Sequence, residues 1–293
     1  MSIDTLTSLE TVVQAVTDAV TRPYQRRSGE WCVALDERAH AVVTLCEGWL
    51  TWTAKRPGGD DGDDAGYSAA PVSPWGVLLS HRDLALGLKW VAGDEGVVRL
   101  HADWPLADDC DVVRRLHEHR DAFLSALGLH GAAMPARHGE SPSPADLVSL
   151  CRESGWAVAT RADGVRVSAV TRRGAADVLV GSLPDGSVRV ALECGRAPTL
   201  PDIVIGVLAP VLLAAAAQIR FVRPYADVVD DGVTAGFVVQ LGAAPTAFEV
   251  SAALAAAATA FETCGPEVSA LMTTDLGARW SALTAPTVGS VSR

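Results

Sequence analysis

The chain lacks any excess of basic residues. Lys plus Arg number 24 against 35 Asp plus Glu, a formal charge of −11 over 293 residues. Such a surface repels phosphate backbones, and no basic stripe with interleaved aromatics offsets it. Nucleic acid is therefore excluded as a first expectation. Also missing is a C-x-x-C pair: Cys32, Cys46, Cys110, Cys151, Cys194 and Cys264 are scattered. No basic segment followed by an apolar run opens the sequence between Met1 and Glu10. The cysteines then read as reduced core thiols, and the protein is expected in the cytoplasm. No apolar run has membrane length either. The longest, Ile203 to Ala217, is shorter than the roughly 20 residues a span needs and contains Gly206 and Pro210, so it reads as a buried helix. A bias toward Ala, Val, Gly, Asp and Arg suggests a high-GC bacterium.

The common chemical signatures are missing too. There is no G-x-x-x-x-G-K-[ST] loop and no G-x-G-x-x-G opening a helix. The stretch from Gly58 to Gly66 is Gly-rich, but its aspartates would repel a phosphate. No G-x-S-x-G elbow marks a serine hydrolase. His81, in Ser80-His81-Arg82-Asp83, is expected to be an exposed surface histidine. His101, Cys110, His117 and His119 lie close in sequence, with His40 or Cys46 as candidates to join them. But His117 and His119 are two apart on an expected helix and point in different directions. Ligands spaced i, i+4 and a zinc knuckle are absent. Asp60 to Asp64 lacks the spacing and closing Glu of a calcium loop. The expectation is a protein without metal, cofactor or catalytic residues: not an enzyme.

What the sequence does contain is alternation. Leu6, Leu9, Val12, Val13, Val16 and Val20 recur at helical spacing and stop at Pro23. Strands are expected over Trp31–Leu35 and Val42–Thr53. Leu84, Leu86, Leu88 and Trp90, then Val98, Leu100, Ala102 and Trp104, alternate around Gly93-Asp94-Glu95-Gly96, which reads as a hairpin with one apolar face. A helix is expected over Asp111–Leu127. After Pro135–Pro144 the pattern restarts. Ser143-Pro144-Ala145-Asp146 opens a helix to about Ser154. Strands follow at Ala157–Arg161, Val165–Thr171, Val178–Leu183 and Val188–Glu193, then a helix over Pro201–Gln218. Ile219–Val228 and Val233–Leu241 flank Asp230-Asp231-Gly232. Thr246 and Glu249 form a capping box that starts a helix to about Thr263. A short helix over Pro266–Met272 is expected next, and the tail after Arg279 reads as weakly ordered.

Strand, glycine turn, strand and helix thus recur. The turn glycine, Gly96 or Gly232, precedes its helix by about 14 residues in both halves, and the whole order repeats at about 140-residue spacing. The expected fold is α+β, a duplicated helix–antiparallel sheet–helix unit. The domains are residues 1–134, with an insert loop at 57–74, and residues 141–293. Pro201–Met272 and Leu84–Leu127 resemble the type III secretion chaperone fold and its YbjN-like relatives. The best local match runs from Leu88-Lys89-Trp90 through Gly96 to Ala102-Asp103-Trp104-Pro105. The first half lacks a long middle helix, with Pro74–His81 as a shortened remnant. The resemblance implies a non-enzymatic chaperone or adaptor that binds a segment of a client protein. Family members pair as dimers, so two fused copies imply an intramolecular pseudo-dimer, with a homodimer as the other arrangement.

Six of the eight tryptophans fall in the first half. Trp49, Trp52, Trp75, Trp90 and Trp104 are the candidate partner-binding residues, because aromatics dominate interface hot spots. Trp90 and Trp104 also belong to the apolar faces of their strands. Trp49 and Trp52 are three apart on a strand and so lie on opposite faces. Two other functions stay open: a small-ligand or enzymatic site between the halves, and a structural subunit of a larger assembly.

Overall fold

A computed structural model describes residues 24–27, 30–35, 39–55, 73–92, 98–106, 112–127, 141–161, 164–229 and 232–273. The expected first helix, the 57–72 part of the insert, the Gly93 to Gly96 turn, the 135–140 boundary and the tail lie outside the described residues. So do Cys110 and the side chain of His117.

The first sheet contains β1 (Tyr24–Arg27), β2 (Glu30–Ala34), β3 (His40–Cys46), β4 (Trp49–Lys55), β5 (Leu88–Ala92) and β6 (Val98–Pro105). A short helix α1 (Pro74–Ser80) and a 3-10 turn (His81–Asp83) stand between β4 and β5, and α2 (Val112–Ala126) follows β6. The second region opens with α3 (Pro144–Glu153). Its sheet contains β7 (Val158–Arg161), β8 (Gly164–Thr171), β9 (Gly174–Ser182), β10 (Ser187–Ala197), β11 (Arg223–Val229) and β12 (Gly232–Ala243). Helix α4 (Asp202–Gln218) stands between β10 and β11, and α5 (Ala247–Met272) follows β12. The class is α+β with two antiparallel sheets, ordered β1-β2-β3-β4-β6-β5 and β7-β8-β9-β10-β12-β11. Position by position, the two orders are the same.

Alternation builds both cores. Leu50, Trp52 and Ala54 on β4 share a buried face with Leu100, Ala102 and Trp104 on β6, and Phe123 of α2 lies against Trp52. In the second sheet Val188, Val190 and Leu192 pair with Leu241, Val239 and Phe237 and are buried with Val250, Leu254 and Ala257 of α5. Fully burying one such side chain stabilises by roughly 1.5–3 kcal/mol, so these faces dominate the fold. The expected capping box of Thr246 and Glu249 opens α5, and the expected N-cap Ser143 of α3 forms a box with Asp146 as well.

Several expectations are corrected. The run Val42–Thr53 is a hairpin, because Glu47 and Gly48 both take positive φ (52° and 78°) and reverse the chain between β3 and β4. Leu84 and Leu86 precede the strand; Leu86 and Gly87 form a left-handed turn into β5. Helix α4 is only half covered, with Ile203 and Val207 exposed on its outer side. Helix α5 does not stop at Thr263. Pro266 cannot bond the Glu262 carbonyl, but Arg173 Nη1 donates to it and to the Thr263 carbonyl, so the helix continues.

Candidate functional site

The two regions meet along a polar and aromatic seam. Glu249, in the first turn of α5, is buried; its carboxylate accepts from Trp104 Nε1 at 3.0 Å and from Arg115 Nη2 at 2.7 Å. Arg115 lies in the first turn of α2, with its guanidinium 4.6 Å from the Trp104 ring centre and a second bond to Glu118. Burial works against its charge, but Glu249 and Glu118 outweigh that and hold it above its ordinary pKa. A Cβ on Gly242 would stand 2.6 Å from Arg115 Nη1, so a side chain there would push the guanidinium from its present place. Farther along, Lys89 of β5 is buried. Its Nζ donates to the Ala216 and Ile219 carbonyls at the end of α4 and pairs with Asp103 at 3.3 Å. Asp103 also accepts from the Phe221 amide and contacts His101 Nε2 at 3.0 Å. Burial opposes ionisation of Asp103, yet His101 and Lys89 hold its carboxyl well below the usual range.

On the other side of the seam lies a cavity of about 1120 Å³. Its floor is the outer face of the second sheet. Register places Arg189 of β10 opposite Gln240 of β12, and Arg223 of β11 opposite Val238. All four line the cavity, with Tyr225 and Asp227. Its roof comes from the first region: Val77, His81 and Arg82 around the end of α1, Trp90 of β5, and Ala122 and Ala126 of α2. Arg223 is 4% exposed; Nη2 donates to Gln240 Oε1 at 3.1 Å, while Nε and Nη1 have no partner among the described residues. Burial, and then the neighbouring charge of Arg189, push its pKa down to about 9. Arg189 is stacked over the Tyr225 ring at 5.4 Å. At the rim, Arg82 pairs with Asp227 at 3.3 Å, and Asp185 accepts from the Ser187 amide and hydroxyl.

His81 is a correction. It is wholly buried rather than exposed. Nδ1 donates to the Val77 carbonyl and Nε2 accepts from the Trp90 amide, both at 2.8 Å, which fixes one neutral tautomer. Burial pushes its pKa down to about 4, and the Arg223 charge adds to that. With both nitrogens engaged, it staples α1 to β5 and has no proton to exchange with a guest. His119 is likewise buried, donating to the Arg115 carbonyl and packing edge-on to Trp104. Among the described residues no three His, Cys, Asp or Glu side chains are grouped to hold a metal ion, and no helix is long and apolar enough to cross a membrane.

The five candidate tryptophans separate. Trp52 and Trp104 are sealed in the core and present no surface to a partner, which corrects their assignment as contacts. Trp49 is half-buried at the seam, edge-on to Phe221 and under Arg220. Trp75 is half-buried on α1. Trp90 alone of the five lines the cavity. Sequence reasoning missed Arg189, Arg223 and Gln240, whose convergence depends on the register of three strands. The one available signal was an arginine among the apolar residues of each of two strands, Arg189 and Arg223. No family model, no curated protein and no solved structure matches the chain.

Proposed function

We propose that the chain is a non-enzymatic binding protein, a chaperone or adaptor of tandem type III secretion chaperone-like build, which takes a client protein segment into the cleft between its halves. The cleft carries the reading. At about 1120 Å³ it exceeds the roughly 300–1,000 Å³ of ordinary small-molecule pockets. Its lining mixes apolar side chains with polar and charged ones in about equal number, which suits an extended, mixed segment. Two further observations support the tandem build. The strand orders coincide between the sheets. Arg115 and Glu249 occupy corresponding first turns, after the sixth strand of each sheet, and pair with each other. A symmetric dimer of one half brings like residues together across its axis. Opposite charges at corresponding positions suit pairing within one chain.

Peptide display against the full chain tests this. Selected segments should lose at least tenfold in affinity for an Ala126→Trp variant, whose indole fills the cleft, while that variant keeps its melting temperature. Failure to select any segment, or binding indifferent to the filled cleft, overturns the reading. A second reading, a small-ligand binder, is favoured by the concentration of Arg189, Arg223 and Gln240 at one wall of the same cavity.

A further inference from the structure

The floor of the cavity holds a charge that the described residues do not neutralise. A buried guanidinium costs several kcal/mol of lost hydration unless a partner compensates. Lys89 has Asp103 and Arg115 has Glu249, but Arg223 has a neutral amide and a second cation. Two of its nitrogens are both buried and unpartnered. Arginine pairs with planar anions through several parallel donors, so the missing group is an anion.

We propose that Arg189 and Arg223 form a binding site for a single carboxylate carried on an apolar body. The charge balance selects a monoanion. Among the charged side chains that line the cavity, three arginines (Arg82, Arg189, Arg223) face two aspartates (Asp185, Asp227), leaving one positive charge with His81 neutral. A dianionic phosphate would overshoot this and meet both rim carboxylates. The apolar body is selected by the roof, where Val77, Trp90, Ala122 and Ala126 offer no charge. Gln240 holds Arg223 from one side and donates to Ser187 Oγ at 3.2 Å; Tyr225 supports Arg189 from below. The guanidinium groups are therefore positioned before any guest arrives, which lowers the ordering cost of binding. The site stands whether or not the client reading does.

The carboxylate has two sources: a free organic acid, or the C-terminus of a peptide. Calorimetry on the full chain with octanoate, octyl phosphate and 1-octanol tests the chemistry. Octanoate should bind at least tenfold more tightly than octanol, and octyl phosphate should gain nothing over octanoate. Arg223→Met should abolish the preference over octanol while raising the melting temperature, since it removes an uncompensated buried charge. Arg189→Met should weaken it several-fold and serves if the first variant does not fold. Equal binding of octanoate and octanol, tighter binding of the phosphate, or a preference untouched by both variants overturns the proposal. An acetylated apolar hexapeptide, as free acid and as amide, separates the sources. A free acid bound tenfold above both its amide and octanoate supports the site with a peptide terminus as guest. Octanoate bound above the free acid supports it with a small acid.

Discussion

Two corresponding rows of side chains cross the two sheets and have opposite fates. In the first sheet the row is Thr51, Asp103 and Lys89; in the second it is Arg189, Gln240 and Arg223. Thr51 faces Asp103 across β4 and β6 as Arg189 faces Gln240 across β10 and β12. Lys89 reaches Asp103, two residues beyond its cross-strand partner His101; Arg223 reaches Gln240, two beyond Val238. The diagonal geometry is the same and the charge is not. The first row is neutral as Lys89⁺ and Asp103⁻, with Thr51 Oγ1 donating to Asp103 at 3.1 Å, and α4 closes over it. The second carries two positive charges and borders an open cavity. A neutral row can be buried and serve as scaffold. A charged row needs an occupant, and this locates the binding function at the second.

The comparison holds only while the sheets stay fixed against each other, and Glu249 bonds to both Trp104 and Arg115 across the seam. Glu249→Ala leaves Arg115 with Glu118 alone, orphans the Trp104 indole N–H and removes the Thr246 amide's acceptor. Breaking a buried ion pair from one side costs about 3–5 kcal/mol, to be read from equilibrium denaturation. A loss below 1 kcal/mol would show that the seam is held elsewhere. Asp103→Asn comes next. It leaves Lys89 buried without its counter-charge, and should cost about 3 kcal/mol near neutral pH. The Asp103 carboxyl titrates below its unfolded value. Its contribution is therefore present above about pH 4 and fades as pH falls, so wild type and variant should converge in strong acid.

The alternating face of β6 was legible because its period of two is local: Leu100, Ala102 and Trp104 are buried as expected. The caps at Ser143 and Thr246 were legible because they act within four residues. What failed depended on partners distant in sequence. Pro266 reads as a stop until Arg173, from another strand turn, takes the carbonyl it frees. His81 reads as surface until Trp90 supplies an amide to its ring. Arg189 sits in a polar-face position of β10, where sequence implies solvent, and only the packing of α1 and α2 over that face turns the position into a cavity wall.

His81 gives a prediction about the roof of the second row. Its folded pKa of about 4 lies below the unfolded 6.5, so between these values the unfolded chain binds a proton that the folded chain refuses. Its contribution is full above pH 6.5 and is lost as pH falls toward 4, on the order of 3 kcal/mol across the window. Denaturant unfolding at pH 7 and pH 5 should show most of that fall. His81→Gln should cost stability at pH 7 and flatten the slope. An unchanged slope in the variant would place the acid sensitivity elsewhere.

The smallest expected effect tests the comparison most directly. Gln240→Glu gives the second row an internal carboxylate, as Asp103 is in the first, beside Arg223 where Nη2 now meets an amide oxygen at 3.1 Å. Asp185 already takes the Ser187 hydroxyl at 2.6 Å, so the new carboxylate loses the amide's bond to Ser187 and meets some repulsion from Asp185. The net gain should be small, about 1 kcal/mol. It should appear above the pKa of the new carboxyl, held low by Arg223, and vanish as pH falls through it. The same variant should lose its preference for octanoate over octanol, because the charge awaiting a guest is now satisfied from within. Stability and carboxylate binding would then move in opposite directions at one position. If Gln240→Glu instead destabilises the fold and leaves octanoate binding intact, Arg223 is not the cation that a guest neutralises, and the difference between the two rows is one of packing alone.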